Sequence, residues 1–365
     1  MKLQPILSTY GLDVNELIIE AFGSGLINHT WRVTTPNQVY ILQRINHAVF
    51  KKPEDIAANI RLIANHLGEV YPEYLFVSPV KNTGGGDLVI LIEGDGLDYL
   101  LNFPNVDEQN NYFRMFPFVE GSHSKDVVET PEQAYEAAAQ FGKFTFLLRG
   151  CEIEKLKTTI PQFHDLSLRY KQFQDALEKG NKERMVEAAE MIAVLKQNAD
   201  IVAEFENIKT NPDFKLRVTH HDTKISNVLF NDMDKGLCVI DLDTVMSGFF
   251  ISDVGDMMRT YLSPVSEEET DFSKIEVRDD FYKAIVKGYF NEMQNELTVA
   301  EKQYFFYAGK FMIYMQALRF LTDYLNNDVY YGEKYPKHNF NRAKNQVVLL
   351  EKLIEKEALL TNLTF

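Results

Sequence analysis

Between Leu216 and Gly248 the chain reads LRVTHHDTKISNVLFNDMDKGLCVIDLDTVMSG, and this stretch leaves little freedom in what the rest can fold into. A short apolar strand, a polar loop, a second strand from Asn227 to Phe230, an Asn-Asp turn and a third strand from Leu237 to Leu242 follow one another. Carboxylates stand where the strands stop. Asp222 heads the loop, Lys224 and Asn227 follow two and five positions later, and Asp241 comes nineteen residues after the first aspartate. Phosphoryl transfer needs this set: a carboxylate to accept the nucleophile's proton, a cation over the transferred group, and an amide and a carboxylate to hold Mg²⁺. In such a site Asp222 would be the base, Lys224 the cation, and Asn227 and Asp241 the metal ligands.

His220-His221-Asp222, with Asn227 and then Ile240-Asp241, resembles the H-G-D-x-x-x-x-N and I-D pattern of the aminoglycoside phosphotransferase and choline kinase-like superfamily, with His221 in place of the glycine. The longer strings GSGLINHT, YILQRIN, IPQFHD, LRVTHHDTKISNVL, CVIDLDTVMSG, FLTDYL and KYPKHN are similar to the N-acetylhexosamine 1-kinases, from about residue 20 to 350. This resemblance implies an α+β, protein-kinase-like fold of two lobes. A small β-rich nucleotide-binding lobe would span 1–119, and a mainly helical catalytic and substrate lobe 120–365. It implies ATP and Mg²⁺ as cofactors and a sugar hydroxyl as acceptor.

Composition bounds these expectations. The chain has 365 residues, with 45% hydrophobic and 25% charged, enough for two substantial cores in an ordered protein. A net charge of −15 argues against a nucleic-acid partner, which requires a surplus of Lys and Arg. Cys151 and Cys238 form no zinc spacing and no disulfide framework, which points to a reducing compartment. MKLQPILSTYGLDVNELIIE lacks a signal-peptide core, and the most apolar helix, FMIYMQALRFL, is short and carries Gln316 and Arg319. The expectation is a cytoplasmic protein, away from membranes, acting as a monomer or weak dimer.

Three strands are expected early, LIIEAF, HTWRVTT and VYILQRI, with Gly23-Ser24-Gly25 between the first two. Alone, GSG is an ordinary glycine turn; beside a catalytic loop it becomes a place where backbone can lie close over phosphates. Pro53-Glu54-Asp55 then opens a helix whose apolar stripe is Ile56, Ile60, Ile63 and Leu67. The wider kinase pattern has a phosphate-binding lysine on the third strand and a glutamate on this helix; here those places hold Gln43 and Asn59. The N-acetylhexosamine kinases resemble this chain in having glutamine there, which makes Gln43 the expected phosphate contact. Its neighbour Arg44 must face the other side of the strand. Further strands are expected at FVSPV, LVILI and YFRMFPFV, the last ending in the hinge Glu120-Gly121-Ser122. Kinase resemblance places Met115 behind the adenine, with the Phe116 carbonyl and Phe118 amide on its edge; Pro117 between them has no N–H to lose.

From Thr130 the period turns helical. Thr130-Pro131-Glu132-Gln133 reads as an N-cap, a first-turn proline and a capping-box glutamine, and one long helix is expected over about 181 to 207. Asp253 and Asp256 sit at the start of a helix, where acidic residues favour the positive end; Asp256 is also a candidate to bind catalytic-loop amides. His164 reads as a capping or core-edge histidine. Arg319, within an apolar run, needs an acceptor, for which Asp323 one turn on is one option. By resemblance Arg319 and Tyr330 contact the hexosamine. Leu26, Asn28, His221, Asp243 and Thr260 also fall at the acceptor end of the inferred cleft. Leu26 and Thr260 depart from the histidine and phenylalanine that the N-acetylhexosamine kinases have there. Removing an imidazole donor and a stacking ring alters what an acceptor pocket can recognise.

The reaction expected is transfer of the ATP γ-phosphoryl group to the anomeric hydroxyl of an N-acetylhexosamine. Another acceptor hydroxyl (aminoglycoside, choline or a different sugar) on the same fold, or a non-catalytic binding relative, are the alternatives. A mucin-desulfatase reading, attached to some similar chains, is disfavoured because neither cysteine lies in C/S-x-P-x-R.

Overall fold

The early strands form as expected in a computed structural model that describes residues 3–23, 27–92, 99–101 and 110–362. The chain packs as two units. The first holds Met1–Ser122 with Gly150–Pro161 and Ile240–Met246, and the second holds His123–Arg149, Gln162–Val239 and Ser247–Phe365.

In the first unit a short helix α1 (Gln4–Ser8) precedes strands β1 (Ile18–Ala21), β2 (His29–Thr34) and β3 (Val39–Ile45). Helix α2 (Pro53–Val70) follows, then β4 (Val89–Ile92), β5 (Tyr99–Leu101) and β6 (Asn110–Pro117). The six strands make an antiparallel sheet in the order β1-β2-β3-β6-β4-β5. Period-two alternation sorts its faces. Val33, Leu42, Phe113 and Met115 join Ile6 and Leu7 of α1 in one apolar cluster, and Arg44 lies across from Phe113 on that side. Gln43 and Arg114, paired directly across β3 and β6, therefore share the opposite face. Helix α2 buries the expected stripe of Ile56, Ile60, Ile63 and Leu67, and with it Asn59.

Two expectations need correction. Residues 76–80 form no strand: Pro79 has no N–H to give a ladder, and the segment makes one backbone bond to β6, from Val80 N to the Met115 carbonyl at 2.7 Å. The helix over 181 to 207 is three, α5 (Lys182–Glu187), α6 (Ala189–Gln197) and α7 (Asp200–Thr210), preceded by α3 (Pro131–Leu147) and α4 (Leu166–Lys179). Breaks at Ala188 and Asn198 shift the phase, so Met191, Leu195, Ile201, Phe205 and Ile208 are buried rather than one continuous stripe. The Asn198 side chain bonds back to the Val194 carbonyl at 2.9 Å, ending α6.

The second unit continues with β7 (Arg217–Thr219), β8 (Val228–Phe230), β9 (Gly236–Val239), α8 (Phe250–Tyr261), α9 (Asp279–Met293), α10 (Val299–Lys302), α11 (Phe305–Leu325), α12 (His338–Glu355) and α13 (Glu357–Thr361). Strands β8 and β9 pair as an antiparallel hairpin. Helix α11 is apolar around most of its circumference because α4, α8 and α12 all pack on it. Among the described residues, no helix is long and apolar enough to cross a membrane.

Candidate active site

In the second unit the loop between β7 and β8 carries Asp222, Lys224 and Asn227. The Asn227 amide nitrogen donates to the Asp222 backbone carbonyl at 2.8 Å and to its Oδ2 at 3.0 Å. One side chain thus fixes both the loop and the carboxylate, leaving the Asn227 carbonyl oxygen as the other polar end of that amide. Lys224 Nζ stands 3.2 Å from the same Oδ2, on a side chain 46% exposed, so it can swing towards a bound anion.

The loop hangs from α8. Asp253, fully buried, accepts the His220 N–H on Oδ2 at 3.1 Å and the His221 N–H on Oδ1 at 2.7 Å. Asp256 accepts the Thr223 N–H at 2.8 Å, as the sequence suggested, and the Arg259 guanidinium at 2.9 and 3.0 Å. Tyr261 donates its hydroxyl to the Thr223 carbonyl at 2.5 Å. Two carboxylates and a phenol on one helix therefore take up the backbone on either side of Asp222. Burial pushes the Asp253 carboxyl up to about 7, against the two amides that favour its charge. Burial also raises Asp256, opposed by Arg259. The loop is thus held by groups whose charge costs free energy.

His221 has φ 66°, in the left-handed region, which explains why the resembling motif places glycine there. Its strain is borne by the Asp253 bond and by its ring, which fits over Gly248, where a Cβ would lie 2.4 Å from Cε1. The His221 Nδ1 lies 3.4 Å from His164 Nδ1, and Phe163 stacks on His164 at 4.3 Å. Burial and then the charges of His221, Arg319, Arg259 and Arg169 hold His164 well below the usual histidine range, so it is neutral at pH 7. His220 packs edge-on against Phe141 and Phe144, a structural place.

Around this loop, Thr260 is half-buried and bonds back to the Asp256 carbonyl at 2.7 Å. Arg319 bonds to Gln316 at 3.2 Å and lies 5.8 Å from the Phe163 ring and 5.5 Å from Tyr331. Asp323 is not its partner: that carboxylate accepts the Tyr330 and Tyr331 amides at 2.7 and 2.8 Å. Tyr330 itself is 73% exposed, and it is Tyr331, which the motif strings do not single out, that stands beside Arg319.

The first unit carries the other expected residues. The strand expected to run to Leu242 stops at Val239; Asp241, two residues on, turns the chain into the left-handed region, φ 60° and ψ 64°, and a 3-10 turn, Leu242–Thr244, follows. Asp243 is buried with both oxygens engaged: Asn28 donates to Oδ2 at 2.7 Å, and the Arg114 guanidinium lies 2.5 Å from Oδ1. Arg114 also gives two bonds to Gln43 Oε1, at 3.1 Å from Nε and 2.9 Å from the second terminal nitrogen. Gln43 donates at 3.4 Å to Thr30. Asn59 completes the frame, giving its amide to the Lys157 and Val245 carbonyls at 2.8 and 2.9 Å and accepting the Lys157 N–H at 2.7 Å. Arg114, Asn59 and Asp253 are the principal residues to which the motifs assign no role.

Gly23 has φ 78°, which a non-glycine residue would resist; Ser24, Gly25 and Leu26 lie outside the described residues. Met115 is in the apolar cluster, and Phe116 faces Arg114, whose guanidinium is 5.1 Å from its ring. The Phe118 amide, expected on the adenine edge, donates to the Val39 carbonyl at 3.0 Å, and its ring meets Phe22 edge-on. An amide oxygen, as on Asn227, and a carboxylate, as on Asp241, are each the hard-oxygen donors that Mg²⁺ takes.

Comparison with known proteins bears on the fold. A microcompartment-associated aminopropanol kinase superposes with a TM-score of 0.64 at 14% identity, covering 98% of this chain and 97% of that one. A spectinomycin phosphotransferase solved with ADP and spectinomycin gives 0.57 at 14% identity, covering 99% and 97%. A choline/ethanolamine kinase family protein from Mesorhizobium loti gives 0.55 at 16%, covering 98% and 94%. At these identities they establish the fold, the protein-kinase-like arrangement of a β-rich lobe and a helical lobe. The model of the phosphotransferase enzyme family matches residues 18–294, and the chain belongs to that family.

Proposed function

We propose that this phosphotransferase moves the γ-phosphoryl group of ATP to the anomeric hydroxyl of a hexosamine or hexose, most readily an N-acetylhexosamine. The supporting observation is the Asp222 carboxylate, fixed by the Asn227 amide, adjoined by Lys224 and held on a loop strapped to α8. Asp222 orients the acceptor hydroxyl and takes its proton, and Lys224 neutralises charge on the group in transfer. Mg²⁺, held by Asn227 and Asp241, would neutralise the phosphate oxygens. Nucleotide contacts are assigned to Gly23, Ser24, Gly25, Gln43, Met115, Phe116 and Phe118. The Phe118 contribution falls to its ring, since its amide is used within the sheet.

Sugar recognition is assigned to Leu26, Asn28, His221, Asp243, Thr260, Arg319 and Tyr330. The support is the similarity of the motif strings to the N-acetylhexosamine 1-kinases, together with a neutral imidazole at His164 touching His221. Leucine at 26 and threonine at 260 shift epimer and N-acyl preference away from those enzymes. The protein works in the cytoplasm as a monomer or weak dimer.

The test is kcat/KM with ATP and Mg²⁺ for N-acetylglucosamine, N-acetylgalactosamine, galactose, choline and 1-amino-2-propanol, with the product's phosphate located by NMR. Phosphate on the anomeric oxygen of a hexosamine or hexose is expected. Phosphate on a primary hydroxyl, or an amino alcohol preferred to every sugar, would reject the sugar 1-kinase reading.

A further inference from the structure

Arg114 is a fully buried cation in the middle of β6, and such a residue needs a reason. Taking a guanidinium and a carboxylate out of water costs more than their attraction usually returns, so the Arg114–Asp243 pair, with side chains 2% and 3% exposed, is a poor device for stability alone. Its partners are informative. One terminal nitrogen faces Asp243, two residues past Asp241; the other and Nε converge on Gln43, where the wider kinase pattern has lysine. Asn28, five residues past Gly23, closes the network on the second oxygen of Asp243 and accepts the Asn46 N–H at 3.0 Å.

We propose that Arg114 is a positioning residue for nucleotide and metal binding: its guanidinium ties Gln43 and Asp243 together and so holds the left-handed turn that presents Asp241. In kinases of the wider pattern, a strand lysine and a helix glutamate make the ion pair of the nucleotide lobe. Here the cation has moved one strand across, from β3 to β6, and the anion has moved from α2 to the turn after Asp241. Glutamine at 43 carries no charge and supplies an acceptor that lysine lacks, which the relocated cation uses. The planar fork is needed, because one group must reach a carboxylate on one side and an amide oxygen on the other. The inference rests on the phosphotransfer reading only in taking Asp241 as a metal ligand.

Two variants separate positioning from packing. Arg114→Met with Asp243→Asn removes both charges, leaves Asn28 an acceptor, and avoids the isolated buried ion that Arg114→Met alone would create. Arg114→Lys keeps a cation and loses the fork. Thermal unfolding without ligand, calorimetric affinity for ATP with and without Mg²⁺, and steady-state kinetics are measured on both. The expected result for the double variant is a melting temperature near wild type, a weaker metal-free ATP affinity as Gln43 loses its tie, and a Mg²⁺ half-saturation at fixed ATP raised at least tenfold. Arg114→Lys should be intermediate. Wild-type Mg²⁺ dependence in the folded double variant would overturn the proposal, as would loss of fold in both variants, since the pair would then be structural. Calorimetry needs no acceptor. If wild type phosphorylates no sugar yet its MgATP affinity depends on Arg114, the proposed substrate fails and the positioning role stands.

Discussion

Replacing Asp253 by asparagine tests whether the catalytic loop is held by a buried charge. In the native chain each carboxylate oxygen takes one backbone N–H, from His221 at 2.7 Å and His220 at 3.1 Å. An asparagine keeps one acceptor and turns an NH₂ towards the other amide, leaving a buried donor unsatisfied at a cost of about 1–3 kcal/mol. Against that, the wild-type carboxyl is pushed up to about 7 by burial, far above the roughly 3.9 of an unfolded chain. A carboxyl raised on folding contributes stability that is full below the unfolded value and lost as pH rises through the folded one. The deficit of Asp253→Asn relative to wild type should therefore be largest near pH 4 and shrink by up to about 1.4 kcal/mol per pH unit towards pH 7. Between about pH 5 and pH 8 the gap should close by roughly 2–3 kcal/mol at most, and it can change sign. Titrating groups that do not feel Asp253, His164 among them, are common to both proteins and cancel in the difference.

The assay is urea denaturation of both proteins at several pH values in a buffer of constant ionic strength, compared at equal m-value. At each pH, turnover should fall by about 10 to 100-fold at temperatures where the variant is folded, because the loop retains its Thr223–Asp256 strap but Asp222 loses its register. A stability gap that stays constant or widens with rising pH would refute the assignment of Asp253 as a buried, charge-costly anchor.

Asp222→Asn should leave folding and ATP affinity near wild type and lower kcat by about two to four orders of magnitude; turnover within a few-fold of wild type would remove it as the base. Asp241→Ala should abolish activity and make ATP affinity insensitive to Mg²⁺, with stability lowered by only about 1–2 kcal/mol for an alanine at φ 60°. Calorimetric titrations with and without metal decide that. Gly255→Ala would bring a Cβ to 2.3 Å from the Ala308 carbonyl, where α8 meets α11. Because backbone cannot yield cheaply, a loss of about 1–3 kcal/mol or more is expected, seen as a lower urea midpoint.

Legibility in the sequence follows the range of the interaction. The D-x-K-x-x-N loop is a local pattern whose chemistry is written in neighbouring positions, and its side chains make mutual contacts of 3.0 and 3.2 Å. Asp256 is read as an amide acceptor from its place in the helix that follows the loop strands, and it takes the Thr223 N–H. Asp253 is not: its position also suits helix capping, and nothing local distinguishes that from bonds to residues 32 and 33 positions earlier. Helix α11 shows the opposite error. A guanidinium in apolar surroundings does need an acceptor, and Arg319 has one, but it is Gln316, while Asp323 serves the turn at Tyr330 instead.

The same physical demand falls on Arg114 within YFRMFPFV. A strand with phenylalanines on both sides of an arginine must either expose that arginine or pair it, and β6 lies third from one edge of a six-stranded sheet, where exposure is not available. Position-by-position comparison with the wider kinase pattern sees two losses, the lysine at Gln43 and the glutamate at Asn59. Neither position is idle. Gln43 accepts from Arg114, and Asn59 joins the Val245 and Lys157 carbonyls, so both bear on the segment that follows Asp241. A lysine–glutamate pair acts through two charges at fixed sequence positions; here neutral amides carry hydrogen bonds at those positions and the charges stand elsewhere. What these bonds make is a mechanical connection between β3, β6 and α2 and the turn after Asp241, and a residue-by-residue search for the missing lysine looks for the wrong thing.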